Sequence, residues 1–303
     1  MWQKPRRIKA ESAKEAVRWL DQGGAPLCDT IARVLRSYGL SPRRPSVSAD
    51  PSTGFTPAAS DFTDADFDIT APDGDDWRAL GATGLRRVVI GRVPSDGVPL
   101  SPDHADAPIV RAVVAAPSEP DAQSLRSLHA HGVRGARFGW DQSTNPEDVL
   151  RYADRLVTLG WHLEIDLSGC KLGHLADAEW TLTQMPIALC FAGLAGFVAA
   201  RSEGDTEIAL LLEMVHMGRF WLKLSGAEIA ATDASTQERL RSLVGATVAA
   251  RQDRLIWGSG PKPPEVDTHA HLDTALRALR EWLPDDATRR AVLWSNPATL
   301  YRF

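Results

Sequence analysis

A (β/α)8 barrel carrying an extra N-terminal helical segment is the fold class this sequence predicts, and three observations predict it. From about residue 84, short β-branched or apolar runs alternate with segments of helical period, the order that builds a parallel sheet. No glycine-rich dinucleotide turn follows any of those runs, which counts against the competing doubly wound open sheet. A length of 303 residues suits one large domain, since a single such barrel commonly takes ~250.

Residues 1–45 read as a helical extension. SAKEAVRWL and LCDTIARVLRSYGL form two short amphipathic helices, broken by Gly23, Gly24 and Pro26 and stopped by Gly39 and Pro42. The charges of the first (Lys4, Arg6, Arg7, Lys9, Lys14 and Arg18) read as a solvated face, the alternative being a nucleic-acid role, and the extension as a whole is the expected surface for any homo- or hetero-oligomer contact. The barrel domain is expected over 46–303, with PSVSA (45–49) as its first strand. Residues 50–77 hold eight Asp and no Lys or Arg. They lack the Gly and terminal Glu of a calcium loop and read as an exposed acidic loop. Seven further strands follow at LRRVVIGRV (85–93), IVRAVVAA (109–116), VRGARFGW (133–140), WHLEIDL (161–167), PIALCFAG (186–193), RFWLKLSG (219–226) and RLIWGSG (254–260). Several of the segments between them open on Asn, Asp or Ser and close on Gly, as capped helices do.

Composition narrows the function classes. With 44% hydrophobic and 24% charged residues the chain is an ordinary globule rather than a disordered one. A net charge of −5 excludes nucleic-acid binding driven by phosphate neutralisation. No run approaches the ~18 apolar residues of a membrane helix, and the start has no apolar signal core. Cys28, Cys170 and Cys190 are widely spaced and odd in number, against a disulfide framework. The expectation is a cytoplasmic protein with no membrane partner and no cofactor.

In such a barrel the chemistry sits at the C-terminal ends of the strands. Side chains alternate along a strand, so WHLEIDL turns His162, Glu164 and Asp166 to one face and Leu163, Ile165 and Leu167 to the other. RFWLKLSG does the same with Trp221, Lys223 and Ser225. Buried charges must be paired, so the two carboxylates and the lysine are expected to compensate one another. They form either a structural ion network or a site of perturbed pKa values near the mouth. Asp166 and Lys223 lie nearer their strand ends, whereas Glu164 and His162 lie deeper. Arg137, in opposite phase to Arg134, is expected to face the barrel and to grip a carboxylate bidentately, with Gly135 and Gly139 allowing close approach. Cys190 reads as a buried apolar filler rather than a nucleophile. Asp267-Thr-His269-Ala-His271 has the spacing of a metal-binding His-x-His pair, but prolines precede it and a helix follows. It reads as a capped loop with exposed histidines, the alternative being a site role at the barrel mouth.

GVRGARF, LGWHLEIDL, MPIALCFAG, GRFWLKLSGAEI, DRLIWGSGPKPP and the closing RRAVLWSNPATLYRF give residues 75–303 a resemblance to the amidohydrolase-related family of 2-pyrone-4,6-dicarboxylate hydrolase. That resemblance implies a (β/α)8 barrel that opens lactones or cleaves related bonds. Its functional residues carry over poorly. The family's first strand ends in Asp-x-His-x-His, but residues 45–70 contain no histidine, and Asp50 and Ser52 are the best match. The family's Asp-His-Met-Gly is here Cys190-Phe191-Ala192-Gly193. Its Trp-Gly-Thr-Asp is Trp257-Gly258-Ser259-Gly260, and the Arg that follows Lys-Leu-Ser-Gly is replaced at Glu228-Ile229. The resemblance therefore implies that the metal and the usual water-activating Asp are missing. Two readings remain. One is a metal-independent hydrolase, lyase or cyclase for a small cyclic or aromatic carboxylate. In it Asp166 or His269 is the base, Lys223 a further catalytic group, and Arg137, Ser225, Glu164 and His271 bind substrate. The other is a non-catalytic barrel that binds a ligand or partner, its mouth plugged by Phe191 and Trp140.

Overall fold

A computed structural model describes residues 66–70, 87–93, 109–116 and, apart from 142, 172, 202–205, 231, 261–265 and 267, residues 121–303. Eight strands form one sheet in the order β1 to β8: β1 (Asp66–Thr70), β2 (Arg87–Val93), β3 (Ile109–Ala115), β4 (Val133–Gly139), β5 (His162–Asp166), β6 (Leu189–Ala192), β7 (Phe220–Ser225) and β8 (Leu255–Gly258). Every neighbouring pair is parallel, and the sheet curls until β1 and β8 touch.

The seven strands expected from 85 onward are all present. The expected front strand is not the one that pairs. PSVSA, like the helical extension of 1–45, lies outside the described residues, whereas β1 falls inside the stretch read as an acidic loop and pairs with β2 from Asp66↔Arg87 to Thr70↔Gly91. The physical reason is that Asp-Phe-Asp-Ile-Thr alternates polar and apolar residues with period two, a strand pattern that the density of aspartates disguises as a loop. The positions spaced like Asp-x-His-x-His at the end of this strand are accordingly Asp66, Asp68 and Thr70, not Asp50 and Ser52.

Helices α1 (Ala122–Ala130), α2 (Pro146–Leu156), α3 (His174–Gln184), α4 (Leu194–Ala199), α5 (Thr206–His216), α6 (Gly226–Ala230) and α7 (Ala234–Arg251) connect the strands from β3 to β8. After β8 come α8 (Thr268–Trp282), α9 (Asp286–Arg290) and α10 (Asn296–Tyr301). Side-chain caps start several of them. Asp121 accepts from the N–H groups of Gln123 and Ser124, Asn145 from Glu147 just ahead of Pro146, and Asp233 from Thr236. Among the described residues no helix is long and apolar enough to cross a membrane.

Side-chain alternation divides the core in two. Leu163, Ile165, Leu222 and Leu224 join the large layer beneath the helices. Val89, Val113, Cys190, Trp221 and Ile256 meet inside the curl, where Leu300 and Tyr301 of α10 pack against them. His162 opens β5 there, its ring edge-on to Tyr301 at 5.1 Å. Gly135 makes room for that ring, because a Cβ on it would sit 2.5 Å from the imidazole. The glycine beside Arg137 thus admits a neighbouring strand's side chain, as one of its two expected uses requires. The close packing around His162 puts the N-terminal ends of the strands in the role of floor and leaves the C-terminal ends for chemistry.

Candidate active site

Three strands set the site by register. Arg137 of β4 stands beside Glu164 of β5, and Gly139 beside Asp166. On β5's other side Glu164 pairs with Cys190 of β6, which pairs with Trp221 of β7. Lys223 lies two residues further along that strand. Inward alternation then brings the charged side chains together. Arg137 donates from Nη1 to Glu164 and from Nη2 to Asp166 at 2.7 Å, and Lys223 Nζ donates to the other oxygen of Glu164 at 2.9 Å. The resulting chain runs Asp166–Arg137–Glu164–Lys223. Glu164 is wholly buried and Lys223 nearly so, while Arg137 and Asp166 keep 11% and 16% side-chain exposure, so the chain rises from the floor toward the opening.

Each charge is shaped by these neighbours. Burial pulls Lys223 down to about 7, with the carboxylate of Glu228 opposing, and a lysine near neutrality exchanges protons readily. For Asp166 burial acts upward, but Arg137 and the Ser168 N–H, 3.0 Å from Oδ1, outweigh it and hold the carboxyl below its ordinary range. Burial also works against the Arg137 guanidinium, yet Glu164, Asp166 and Glu228 together raise its pKa. The Cys190 thiol is pushed well up by burial and by Glu164, which leaves it an unreactive filler. At the floor, burial lowers His162 to about 4, the backbone of Arg134 opposing in part, and neither ring nitrogen makes a well-formed hydrogen bond.

Glu228 is the site residue that the sequence reading passed over, registering it only as a missing arginine. It lies in the first turn of α6, immediately after β7, and its N–H reaches Ser225 Oγ at 3.4 Å. Its position just past a strand's C-terminal end was the available signal. Gly193 is a second omission. Its φ of +69° is left-handed, and any Cβ there would collide with Asp166 Oδ1.

The histidine pair needs correcting. His269 and His271 belong to α8 rather than to a loop ahead of it, and His271 is buried at 6% exposure, its Nε2 3.1 Å from the Gly260 carbonyl. The amphipathic periodicity of α8 extends through the pair, which the preceding prolines obscured. Neither of the bulky groups expected to plug the mouth does so. Phe191 stacks on Phe220 at 5.8 Å, and it and Trp140 belong to the layer beneath the helices.

Among the described side chains the donor set does not suit a metal. Where the resemblance expects ligands, Phe191 faces the helices and Gly260 has no side chain, while Asp166 and Glu164 are already held by cations. Among the described residues no three His, Cys, Asp or Glu side chains gather as an ion would require. Gly260 also has a φ of +85°, a backbone that disfavours the aspartate the family carries there.

Comparison with known proteins agrees with this architecture. A D-galactarolactone isomerase of Agrobacterium fabrum is 28% identical over 109 residues, covering 35% of this chain and 37% of that protein. A 2-pyrone-4,6-dicarboxylate hydrolase of Comamonas testosteroni is 26% identical over 191 residues, 58% of this chain and 62% of that protein. The chain thus spans less than two thirds of the length of either relative. Among solved structures, a protein from Pseudomonas putida described as a 2-pyrone-4,6-dicarboxylic acid hydrolase superposes with a TM-score of 0.60 at 18% identity, covering 79% of this chain and 98% of that one, a likeness of fold. The family model described as Amidohydrolase matches residues 96–303, well over half of the sequence, and the chain therefore belongs to the amidohydrolase family.

Proposed function

We propose that this protein is a metal-independent lactone-processing enzyme, a hydrolase or isomerase of a small cyclic carboxylate, built on a fully closed (β/α)8 cylinder spanning 46–303. The observation that carries the reading is the placement of Lys223, nearly buried and 2.9 Å from Glu164, just below the C-terminal ends of β4, β5 and β7. A lysine of pKa about 7 is half neutral at physiological pH, so its amine takes the proton of an attacking water or substrate hydroxyl. The ammonium so formed is stabilised by Glu164. Arg137 faces the negative charge that develops on the acyl oxygen. When the ring C–O bond breaks, the Lys223 ammonium returns that proton to the leaving oxygen, with the Ser225 hydroxyl as a hydrogen-bond donor beside it. Asp166, held ionised and weakly basic by Arg137, is an orienting group in this scheme rather than the base, and it fixes the guanidinium plane. His271, turned to Gly260, and His269 open α8 after the strand β8 segment and take no part in the proton transfers of this scheme.

The relatives named for lactones and for a pyrone dicarboxylate support the substrate class. The same reading keeps residues 1–45 as a helical appendage for self- or hetero-association and places the protein in the cytoplasm without nucleic-acid partners, in keeping with free, buried Cys170 and Cys190. A non-catalytic binding role ranks second, because it called for a mouth plugged by Phe191 and Trp140. The test is turnover of a panel of γ- and δ-lactones by the full chain, with and without a chelator. Hydrolysis or isomerisation indifferent to chelation, rising through pH about 7, is expected, with Lys223→Met losing about 10²–10⁴-fold. Chelator-sensitive turnover or stoichiometric zinc would overturn metal independence. Inertness toward every lactone would sink the enzyme reading.

A further inference from the structure

At the end of the sheet opposite the mouth, a second cluster gathers cations. Arg134 of β4 falls one position ahead of the Gly135↔His162 pair, which sets it beside Trp161 at the entry to β5. Its Nη1 donates to the carbonyls of His129 and Val133 at 2.9 and 2.8 Å. His129, in the last turn of α1, stacks on Trp161 and accepts the indole N–H on Nδ1 at 3.0 Å. Arg302, just after α10, lays its guanidinium on Gly160, where any Cβ would collide with it. Arg111 of β3 donates to the Arg302 carbonyl from Nε and Nη2 at 3.4 and 3.3 Å. Carbonyls orient a guanidinium but leave its charge in place. The electrostatics agree with that geometry, since burial lowers the pKa of Arg134 and then Arg111 and Arg302 lower it further. His129 responds in the same order, to burial first and then to Arg134, Arg302 and Arg111. Its tautomer is also fixed. An indole N–H only donates, so Nδ1 is the acceptor and the proton of the neutral ring sits on Nε2.

We propose that Arg134, Arg302 and His129, with Arg111 beside them, form a phosphate-binding site at the N-terminal end of the sheet, separate from the Lys223 site and independent of the lactone reading. Arg302 is exposed, while Arg134 and His129 are half-buried, so the site is open to solvent on one side and partly desolvated on the other. One guanidinium fork already satisfies the two oxygens of a carboxylate. A phosphate group brings three acceptor oxygens and up to two charges, which matches guanidiniums arriving from separate elements together with the Nε2–H of His129. Binding relieves the repulsion among the arginines, which is the source of its favourable energy.

The test is calorimetric titration of the full chain at low salt with inorganic phosphate and, as an ester, phenyl phosphate. The wild type should bind saturably, with a melting temperature that rises with phosphate concentration. Arg302→Gln and Arg134→Gln should each weaken binding about tenfold or more, the loss of one charge-assisted contact. Arg151→Gln, at an exposed arginine of α2 already paired with Asp148, should leave it unchanged. Arg134 also anchors backbone carbonyls, so its variant is open to misfolding. Arg302→Gln alters a surface side chain and decides the matter alone. Tighter binding of the ester identifies a phosphorylated small molecule as the ligand, and equal binding identifies the free ion. Glutarate, the carboxylate control, should bind at least about tenfold more weakly than phosphate. The proposal is overturned by a wild type that shows no saturable phosphate binding, by equal affinity in wild type and Arg302→Gln, or by glutarate bound as tightly as phosphate. Capture of polyglutamate with indifference to phosphate would overturn it too, marking a surface for an acidic protein instead.

Discussion

Arg201 with Glu207 in the helical layer, and Arg137 with Glu164 and Lys223 inside the sheet, are both buried ion clusters, yet they are satisfied in different ways. Arg201 donates to Glu207 from Nε at 3.1 Å and from Nη2 at 2.6 Å, and from Nη1 to the Phe197 carbonyl at 2.7 Å. Glu207 in turn accepts from the N–H groups of Leu175 and Ala176 at 2.8 and 3.1 Å, standing in for the cap that Gly173 cannot supply to α3. Backbone groups thus surround the pair, and moving either charge would break the fold locally. The partners that define the sheet cluster are instead other titratable side chains, among which a proton can shift while the backbone stays intact. A buried ion pair is structural when the backbone completes it and chemically useful when other ionisable groups do.

The sharpest way to break that comparison is a pair of isosteric truncations. Lys223→Met should cut turnover by about 10²–10⁴-fold and yet leave the melting temperature within a few degrees, because Glu164 keeps Arg137 and an expensive buried amine is removed. Arg201→Met should do the opposite. It strands Glu207 without its cation at a cost of about 3–5 kcal/mol, lowering Tm by about 10 °C while activity per folded molecule is retained. Thermal melts with activity assays separate the two outcomes, and equal effects from both variants would erase the distinction.

His162 sharpens it from another side, as a buried group that resists charge altogether. Its pKa of about 4 lies below the unfolded value of about 6.5. Between those values the unfolded chain binds more protons, so stability rises with pH from about 4 to about 6.5 and is lost on acidification through that window, by about 3 kcal/mol. Denaturant unfolding across this range should show the loss in the wild type and a flatter profile in His162→Phe. The smallest effect is expected from Gly193→Ala. Its left-handed backbone costs about 1–2 kcal/mol, and its methyl displaces Asp166 from Arg137. Turnover should fall several-fold in steady-state assays, while Lys223 keeps its pH midpoint.

Much of the site was legible because strand alternation is a strict rule. His162, Glu164 and Asp166 had to share a face, as did Trp221, Lys223 and Ser225, and the ion chain joining three strands follows from turning those faces inward. The failures share a cause in composition masking period. Aspartate density hid β1, and prolines hid the start of α8 around His269 and His271. Helix α3 had no local start signal at all, since its N-terminus is capped by Glu207 from an element 32 residues away.

By itself the sequence determined which residues alternate, and hence the parallel strand order from β2 to β8, the inward polar sets and the loss of the family's histidines. Only the tertiary structure decided who pairs with whom: that Arg137 answers to Glu164 and Asp166 rather than awaiting a ligand, that Phe191 and Trp140 face the helices, and that Glu228 joins the site. Periodicity is a property of neighbours along the chain. Partnership among buried charges depends on register and distance across strands, which only the folded sheet fixes.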